Sequence, residues 1–318
     1  GNDMTSTTQA RTNQSPMRRT AAVAAAAVFT VLAVSALGNT RAGAQDSTEP
    51  LVILVSNDDG IGADGIDALV ESLRERPDTT VVVSAPAENQ SGSSDKTTSG
   101  PISAAPGTTK SGFEGIAVGG FPADAVQFGL DNPGPEGAPD LVMTGSNEGQ
   151  NIGFLAPLSG TVGAAQTGAR AGIPALAVSQ GLGEPDYPAS VGAAMEWLDD
   201  HEAALRDGTE TVQVSSINAP SCTEGTNRGV VEVPWDGSEG TDVGVQDCTS
   251  TQENPTSDVE AFNNGFISLS ILPNDFPDAE EPEPTTTTAP PSSTDDPPSS
   301  SDNAPSAAAA PLAPTFTG

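Results

Sequence analysis

The residues best equipped for chemistry stand at positions 58 and 59. An apolar run, Leu51-Val52-Ile53-Leu54-Val55, gives way within three residues to two adjacent carboxylates, Asp58 and Asp59, set among Gly60, Gly62 and Gly65. Neighbouring carboxylates repel unless positive charge lies between them, and a hard divalent cation is the usual answer. The same letters would also make a plain Asp-Gly turn. Two further polar clusters follow apolar runs in the same manner: Asn89 and Ser91, then Ser146 and Asn147. Carboxylate, hydroxyl and amide oxygens together suit magnesium, manganese or calcium. A fourth cluster, Ser159-Gly160-Thr161, heads a helical pattern, where hydroxyls and unpaired N–H groups can cradle a phosphate. Ser or Thr at such a position is equally an ordinary helix cap. A metal beside a phosphate cradle is the equipment of phosphate-ester hydrolysis.

These clusters can meet only if the elements before them lie side by side. The run at Leu51–Val55 suits a strand covered on both faces. An amphipathic helix follows over Gly65–Glu75, with Ile66, Leu69, Val70 and Leu73 on one face. Thr80–Ala85, Asp140–Thr144, Ala175–Ser179, Thr211–Ile217 and Phe266–Leu272 read as further strands, and Pro122–Leu130, Ser159–Ala171 and Ala193–Leu205 as helices. Stretches 97–120 and 180–190 have no clear pattern. Alternating strands and helices predict an α/β chain, a Rossmann-like three-layer sandwich around a mainly parallel sheet. Such sheets gather ligands beyond the carboxyl ends of their strands, which is where the polar clusters fall.

Composition narrows the function. With 43 acids against 11 Lys and Arg, the formal charge is −32, which argues against nucleic-acid polymers as partners. A small phosphorylated substrate would then need positive potential supplied locally, by a metal or helix N-termini. Past residue 44 the cations are Arg74, Arg76, Lys96, Lys110, Arg170, Arg206 and Arg228. His201 is the sole histidine and falls in an acidic helix, so a histidine base is disfavoured.

Residues 1–16 read as an unpatterned extension. Residues 17–44 carry Met17-Arg18-Arg19, an Ala/Val/Leu-rich stretch and Ala42-Gly43-Ala44, the layout of a secretory signal peptide. An uncleaved anchor is the alternative; cleavage would leave no stable membrane insertion. Residues 45–278 form the expected domain, and 279–318 a Pro/Thr/Ser/Ala-rich tail too polar to fold. Export places the chain outside the cell or in its envelope. There, Cys222 and Cys248, the only cysteines, are expected to form a disulfide.

Several motifs together resemble the SurE (survival protein E) family of metal-dependent nucleotidases and acid phosphatases. They are Ser56-Asn57-Asp58-Asp59-Gly60, Asn89-Gln90-Ser91-Gly92, Pro122-Ala123-Asp124, the segment Gly145–Gly153, and Ser159-Gly160-Thr161-Val162-Gly163-Ala164-Ala165. The resemblance covers about Leu51 to Leu272. It implies a divalent metal, magnesium or manganese, held by Asp58, Asp59, Ser91 and Asn147. It implies phosphate contacts from Asn151, Ser159, Gly160 and Thr161, with Asp58 or Asp59 steering the attacking water. Asp124 matches an acidic residue of a family turn, although on its own it reads as a helix N-terminal charge.

Departures bear on specificity. Gln90 stands where the family often has Arg, leaving Lys96 as a candidate replacement cation. Phe154-Leu155 stands where many bacterial members have two acids, a pattern closer to a secreted, acid-phosphatase-like branch. The expected activity is hydrolysis of a phosphomonoester, nucleoside 5'(3')-monophosphates first. A broad exported acid phosphatase and a non-catalytic phosphate or nucleotide receptor are the alternatives. Homo-oligomerisation is left open.

Overall fold

The computed structural model describes residues 49–276 apart from 184 and 186, all within the unit Gln45–Gly318. The expected extension at 1–16, leader at 17–44 and tail at 279–318 lie outside the described residues. The elements run β1 (Leu51–Ser56), α1 (Asp64–Arg74), β2 (Thr79–Pro86), β3 (Ser103–Thr108), β4 (Glu114–Gly119), α2 (Pro122–Asp131), β5 (Leu141–Glu148), a 3-10 turn (Gly153–Leu158) and α3 (Gly160–Arg170). Then come β6 (Ala175–Gln180), α4 (Tyr187–Arg206), β7 (Val214–Ala219), β8 (Val230–Glu232), α5 (Asp258–Asn263) and β9 (Ile267–Leu272).

One nine-stranded sheet has the order β3-β4-β2-β1-β5-β6-β7-β9-β8. Its six central strands, β4 to β7 in that order, pair in parallel. The edges depart from this: β3 runs antiparallel to β4, and β9 antiparallel to β7. Parallel neighbours need crossovers, and helices supply them.

Strand β1 shows why the layers form. Leu51, Ile53 and Val55 belong to an apolar cluster with Ile66, Leu69 and Leu73 of α1 and Trp197 and Leu198 of α4. Leu54, facing the other way, joins Val126 of α2 and Val162, Ala165 and Ala169 of α3. Side chains alternate across a strand, so an unbroken apolar run at β1 feeds both layers. Small residues along α3 let that helix lie close to the sheet: an added Cβ at Gly168 would approach Val142 Cγ2 to 2.6 Å.

The structure adds elements at the stretches without pattern. β3 and β4 form a hairpin where 97–120 was patternless, and α4 begins at Tyr187 rather than Ala193. β3 is exposed along most of its length and contains Pro106 and Gly107, so neither alternation nor β-propensity marks it. Asp124 accepts hydrogen bonds from Phe121 N at 2.9 Å and from Thr98 Oγ1 at 2.7 Å. It thus closes the first turn of α2 and ties down the loop at Thr98. No helix among the described residues is long and apolar enough to cross a membrane.

Candidate active site

The first and fifth strands are neighbours, joined in register from Ile53↔Leu141 to Ser56↔Thr144, so the chain beyond Ser56 and the end of β5 emerge together. Asp59 joins them directly: its Oδ2 accepts the Glu148 N–H at 3.0 Å. Its Oδ1 accepts from Asn89 Nδ2 at 3.2 Å and Ser91 Oγ at 3.4 Å, which brings in the loop after β2. That loop is fixed from below, where Gln90 N donates to Asp58 O at 2.6 Å. Gly60 turns the chain away with φ of +102°, a left-handed value that side chains avoid.

Asp58 faces the start of α3. Its Oδ1 accepts the Thr161 hydroxyl at 2.5 Å, and the Thr161 N–H supports the same carboxylate. Gly160 is required at this approach: a Cβ there would come within 2.7 Å of Ser93 Oγ and 2.8 Å of Asp58 Cβ. The helix is capped separately by Ser159, whose Oγ accepts Val162 N–H at 3.1 Å. Burial pushes the Asp58 carboxyl up to about 6, the Thr161 hydrogen bond working against the rise and the charge of Asp59 adding to it. Asp59 is also raised, by burial, against the pull of its hydrogen-bond donors.

A cavity of about 340 Å³ opens over these groups, and Asp58, Ser91, Asn147, Asn151 and Ser159 all line it. The chain after β1, the chain after β2, the end of β5 and the connection from β5 to α3 therefore face one space. Asn147 donates Nδ2 to Gly149 O at 2.6 Å, which reserves its Oδ1 as the ligand-type oxygen. Asn151 is held twice, by N–H to Asn218 Oδ1 at 2.7 Å and by Nδ2 to Ser179 Oγ at 2.9 Å. Asp59, Gly160 and Thr161 are not among the residues lining the cavity; Asp59 reaches it through Ser91 and Glu148, lining residues to which it is hydrogen-bonded. The Thr161 side chain is fully buried and spent on Asp58, so its hydroxyl orients a carboxylate where a direct phosphate contact was expected. Lys96 does not line the cavity either, and it is exposed; it does not replace the cation missing at Gln90. His201 packs against Trp197, ring centroids 4.0 Å apart, and takes no part in the cavity lining.

The donor set fits a hard divalent cation. Among the described residues no three His, Cys, Asp or Glu side chains converge, so two carboxylates completed by neutral serine and asparagine oxygens are what this chain offers. A buried carboxylate beside a second one, with no Lys or Arg in the lining, is costly unless positive charge offsets it. A cation held by Asp58, Asp59, Ser91 and Asn147 would do so.

The sequence pattern did not single out several residues that shape this place. Ser93 is buried with its Oγ unpartnered, beside Gly160; its only sequence signal is membership of the polar loop 88–94. Leu158 and Leu182 line the cavity with Leu155, and apolar loop residues such as these two carry no chemical signal. Asp258 accepts Gly153 N–H at 2.8 Å and Asp236 N–H at 2.9 Å, while Trp235 Nε1 donates to Gly153 O at 2.8 Å. The late segment thus clamps the loop bearing Asn151. Cys222 and Cys248 are disulfide-bonded, with Sγ atoms 2.01 Å apart. A larger hollow of about 770 Å³ lies elsewhere, among Val81, Val83, Pro106 and Ile116, and gathers no comparable set of polar ligands.

Residues 53–236 match the model of the family described as survival protein SurE. The chain belongs to the SurE family. A 5'-nucleotidase SurE from Synechococcus sp. is 38% identical over 174 residues, 54% of this chain and 62% of that protein. One from Halobacterium salinarum is 41% identical over 186 residues, 55% of this chain and 67% of that protein. The matched stretch thus spans about two thirds of the length of these SurE relatives. The crystal structure of the SurE protein from Aquifex aeolicus superposes with a TM-score of 0.57 at 26% identity, over 71% of this chain and 95% of that one. The SurE fold is therefore the three-layer arrangement described above, and the matched segment contains every cavity-lining polar residue.

Proposed function

We propose that this SurE chain is a phosphoric monoester hydrolase that uses magnesium or manganese and acts on nucleoside 5'(3')-monophosphates. The observation that carries the reading is the convergence of Asp58, Ser91, Asn147, Asn151 and Ser159 on one cavity beside the start of α3. The relatives named 5'-nucleotidase support the reaction class.

A divalent cation held by Asp58, Asp59, Ser91 and Asn147 would polarise the phosphoryl oxygens and acidify water in its shell. The chain's own groups do the rest. Thr161 holds Asp58 in a single orientation by its hydroxyl and N–H. Asp59, anchored by Glu148 N–H, holds the second carboxylate beside Ser91, and one of the pair takes the proton of the attacking water. Asn151 and the Ser159 hydroxyl offer neutral hydrogen-bond donors to phosphoryl oxygens, and the positive end of α3 lies behind them.

Export is part of the proposal. It is supported by the leader-like pattern at 17–44 and by the disulfide, a bond that persists in oxidising compartments. A broad acid phosphatase is the second reading, favoured by Phe154-Leu155 in place of paired acids.

Phosphate release from nucleoside monophosphates, measured with and without manganese for the wild type and Asp58→Asn, tests the proposal. The expected result is manganese-dependent turnover that the substitution lowers by at least about 100-fold. Equal release in all four conditions would end it.

A further inference from the structure

The wall of the cavity has two chemistries. Polar groups from Asp58 to Asn151 line it, and so do three leucines, Leu155, Leu158 and Leu182. Leu158 is 53% exposed and Leu182 55%, the highest values among the exposed large hydrophobic side chains of the described residues. Single exposed leucines are common on any surface and need no explanation. Here the two most exposed ones border the same small cavity as the candidate ligands.

Neither leucine sits on a loosely held backbone. Leu182 N donates to Gln150 Oε1 at 3.2 Å, and Leu182 O accepts Gln246 Nε2 at 2.7 Å. Leu158 O accepts Ser94 N at 3.1 Å, and Leu158 directly precedes the Ser159 cap. Both are thus fixed relative to the phosphate-facing groups. The lining also lacks any Lys or Arg, and its charged members are the carboxylates Asp58 and Glu148. Whatever occupies the leucine side gains from being apolar and loses from carrying negative charge.

We infer that Leu155, Leu158 and Leu182 form the leaving-group subsite and set specificity, gripping an uncharged planar group such as a nucleobase on the alcohol half of the phosphomonoester. The inference rests on the hydrolase reading and deepens it by assigning discrimination to these three side chains. The subsite disfavours esters whose alcohol is a small polyol, because such a group leaves the leucines facing water.

Adenosine 5'-monophosphate and ribose 5-phosphate share the same leaving hydroxyl and differ in the base, so their comparison isolates the subsite from intrinsic reactivity. The manganese-loaded full chain is expected to favour the nucleotide by about 10-fold or more in kcat/KM, the range that one apolar contact patch supplies. In Leu158→Ser/Leu182→Ser that preference should collapse toward unity, mainly through KM for the nucleotide. Leu158→Met/Leu182→Met, which keeps an apolar surface, should retain it. Equal use of the two esters by the wild type, or a preference unchanged in the serine pair, overturns the inference while the hydrolase reading stands. Inactivity of the wild type on both esters with every divalent cation overturns the hydrolase reading and this inference with it.

Discussion

The Thr161 hydroxyl donates to Asp58 Oδ1 at 2.5 Å, linking the loop after β1 to the first turn of α3 across 103 positions of sequence. This contact decides what the helix start does. Its hydroxyl and N–H stabilise a protein carboxylate, and the carboxylate is thereby aimed into the cavity. Thr161→Val keeps the shape and removes the donor. A buried acceptor left short of a partner costs about 1–3 kcal/mol of stability, and the loss of a fixed orientation at Asp58 should lower kcat on the order of 10- to 100-fold, with Thr161→Ser retaining most of it. Steady-state kinetics at saturating manganese would check this, and full activity in the valine variant would remove the positioning role.

Gly160→Ala should damage stability and turnover together. The new methyl would lie 2.7 Å from Ser93 Oγ and 2.8 Å from Asp58 Cβ, distances that require something to shift. Overpacking of this kind costs about 1–3 kcal/mol. Calorimetry should show a lowered Tm, and the manganese concentration giving half-maximal activity should rise.

Asp258 gives a pH signature. Burial raises its carboxyl above the ordinary 3.8, against the pull of the Gly153 and Asp236 N–H groups. In the window between 3.8 and the raised value the unfolded chain binds fewer protons than the folded one, so stability falls as pH rises through it. Below that window the contribution is intact. Asp258→Asn should flatten this slope in urea titrations run from pH 4 to 7. Asp258→Ala, which orphans both N–H donors, should destabilise by about 1–3 kcal/mol and raise KM by loosening the loop that carries Asn151.

Breaking the disulfide should reach the cavity as well. The bond closes a loop of 26 residues, for which chain entropy suggests about 3–4 kcal/mol. Inside that loop, Val243 O accepts Gln150 Nε2 at 2.6 Å, and Gln246 Oε1 accepts Ser221 N–H at 2.6 Å. Cys222→Ser/Cys248→Ser should therefore lower Tm and raise KM more than it lowers kcat. An unchanged KM would show that the loop holds its place without the bond.

How much of this was legible in advance differs by element. The central strands and the amphipathic α1 were readable because their patterns follow from burial: β1, buried on both faces, is an unbroken apolar run, and α1 repeats its apolar residues at helical spacing. The hairpin β3–β4 was not, because its residues are mostly exposed or small and it is held by backbone pairing with β2, which leaves no mark on side-chain type. The short helix α5 escaped notice for a related reason, being a six-residue element whose Val259 and Phe262 find partners in the distant Ile152. The start of α4 at Tyr187 was hidden by Pro188 and the small residues after it.

The sequence by itself determined which oxygens are present and that they gather at strand ends, although β5 runs on to Glu148 and so contains Ser146 and Asn147, which were expected beyond a strand ending at Thr144. Pattern therefore pointed to Asp58, Asp59, Ser91 and Asn147, and the resemblance to the SurE family added Asn151. Only the tertiary structure decided which of the set faces open space and which serves another member. Thr161 turned out to support Asp58, Lys96 stands apart, and Leu158 and Leu182, unremarked in the sequence, line the cavity with Leu155. The reason is physical: orientation at a sheet edge is decided by contacts between loops 30 to 105 positions apart, and no local pattern encodes which way such loops turn their side chains.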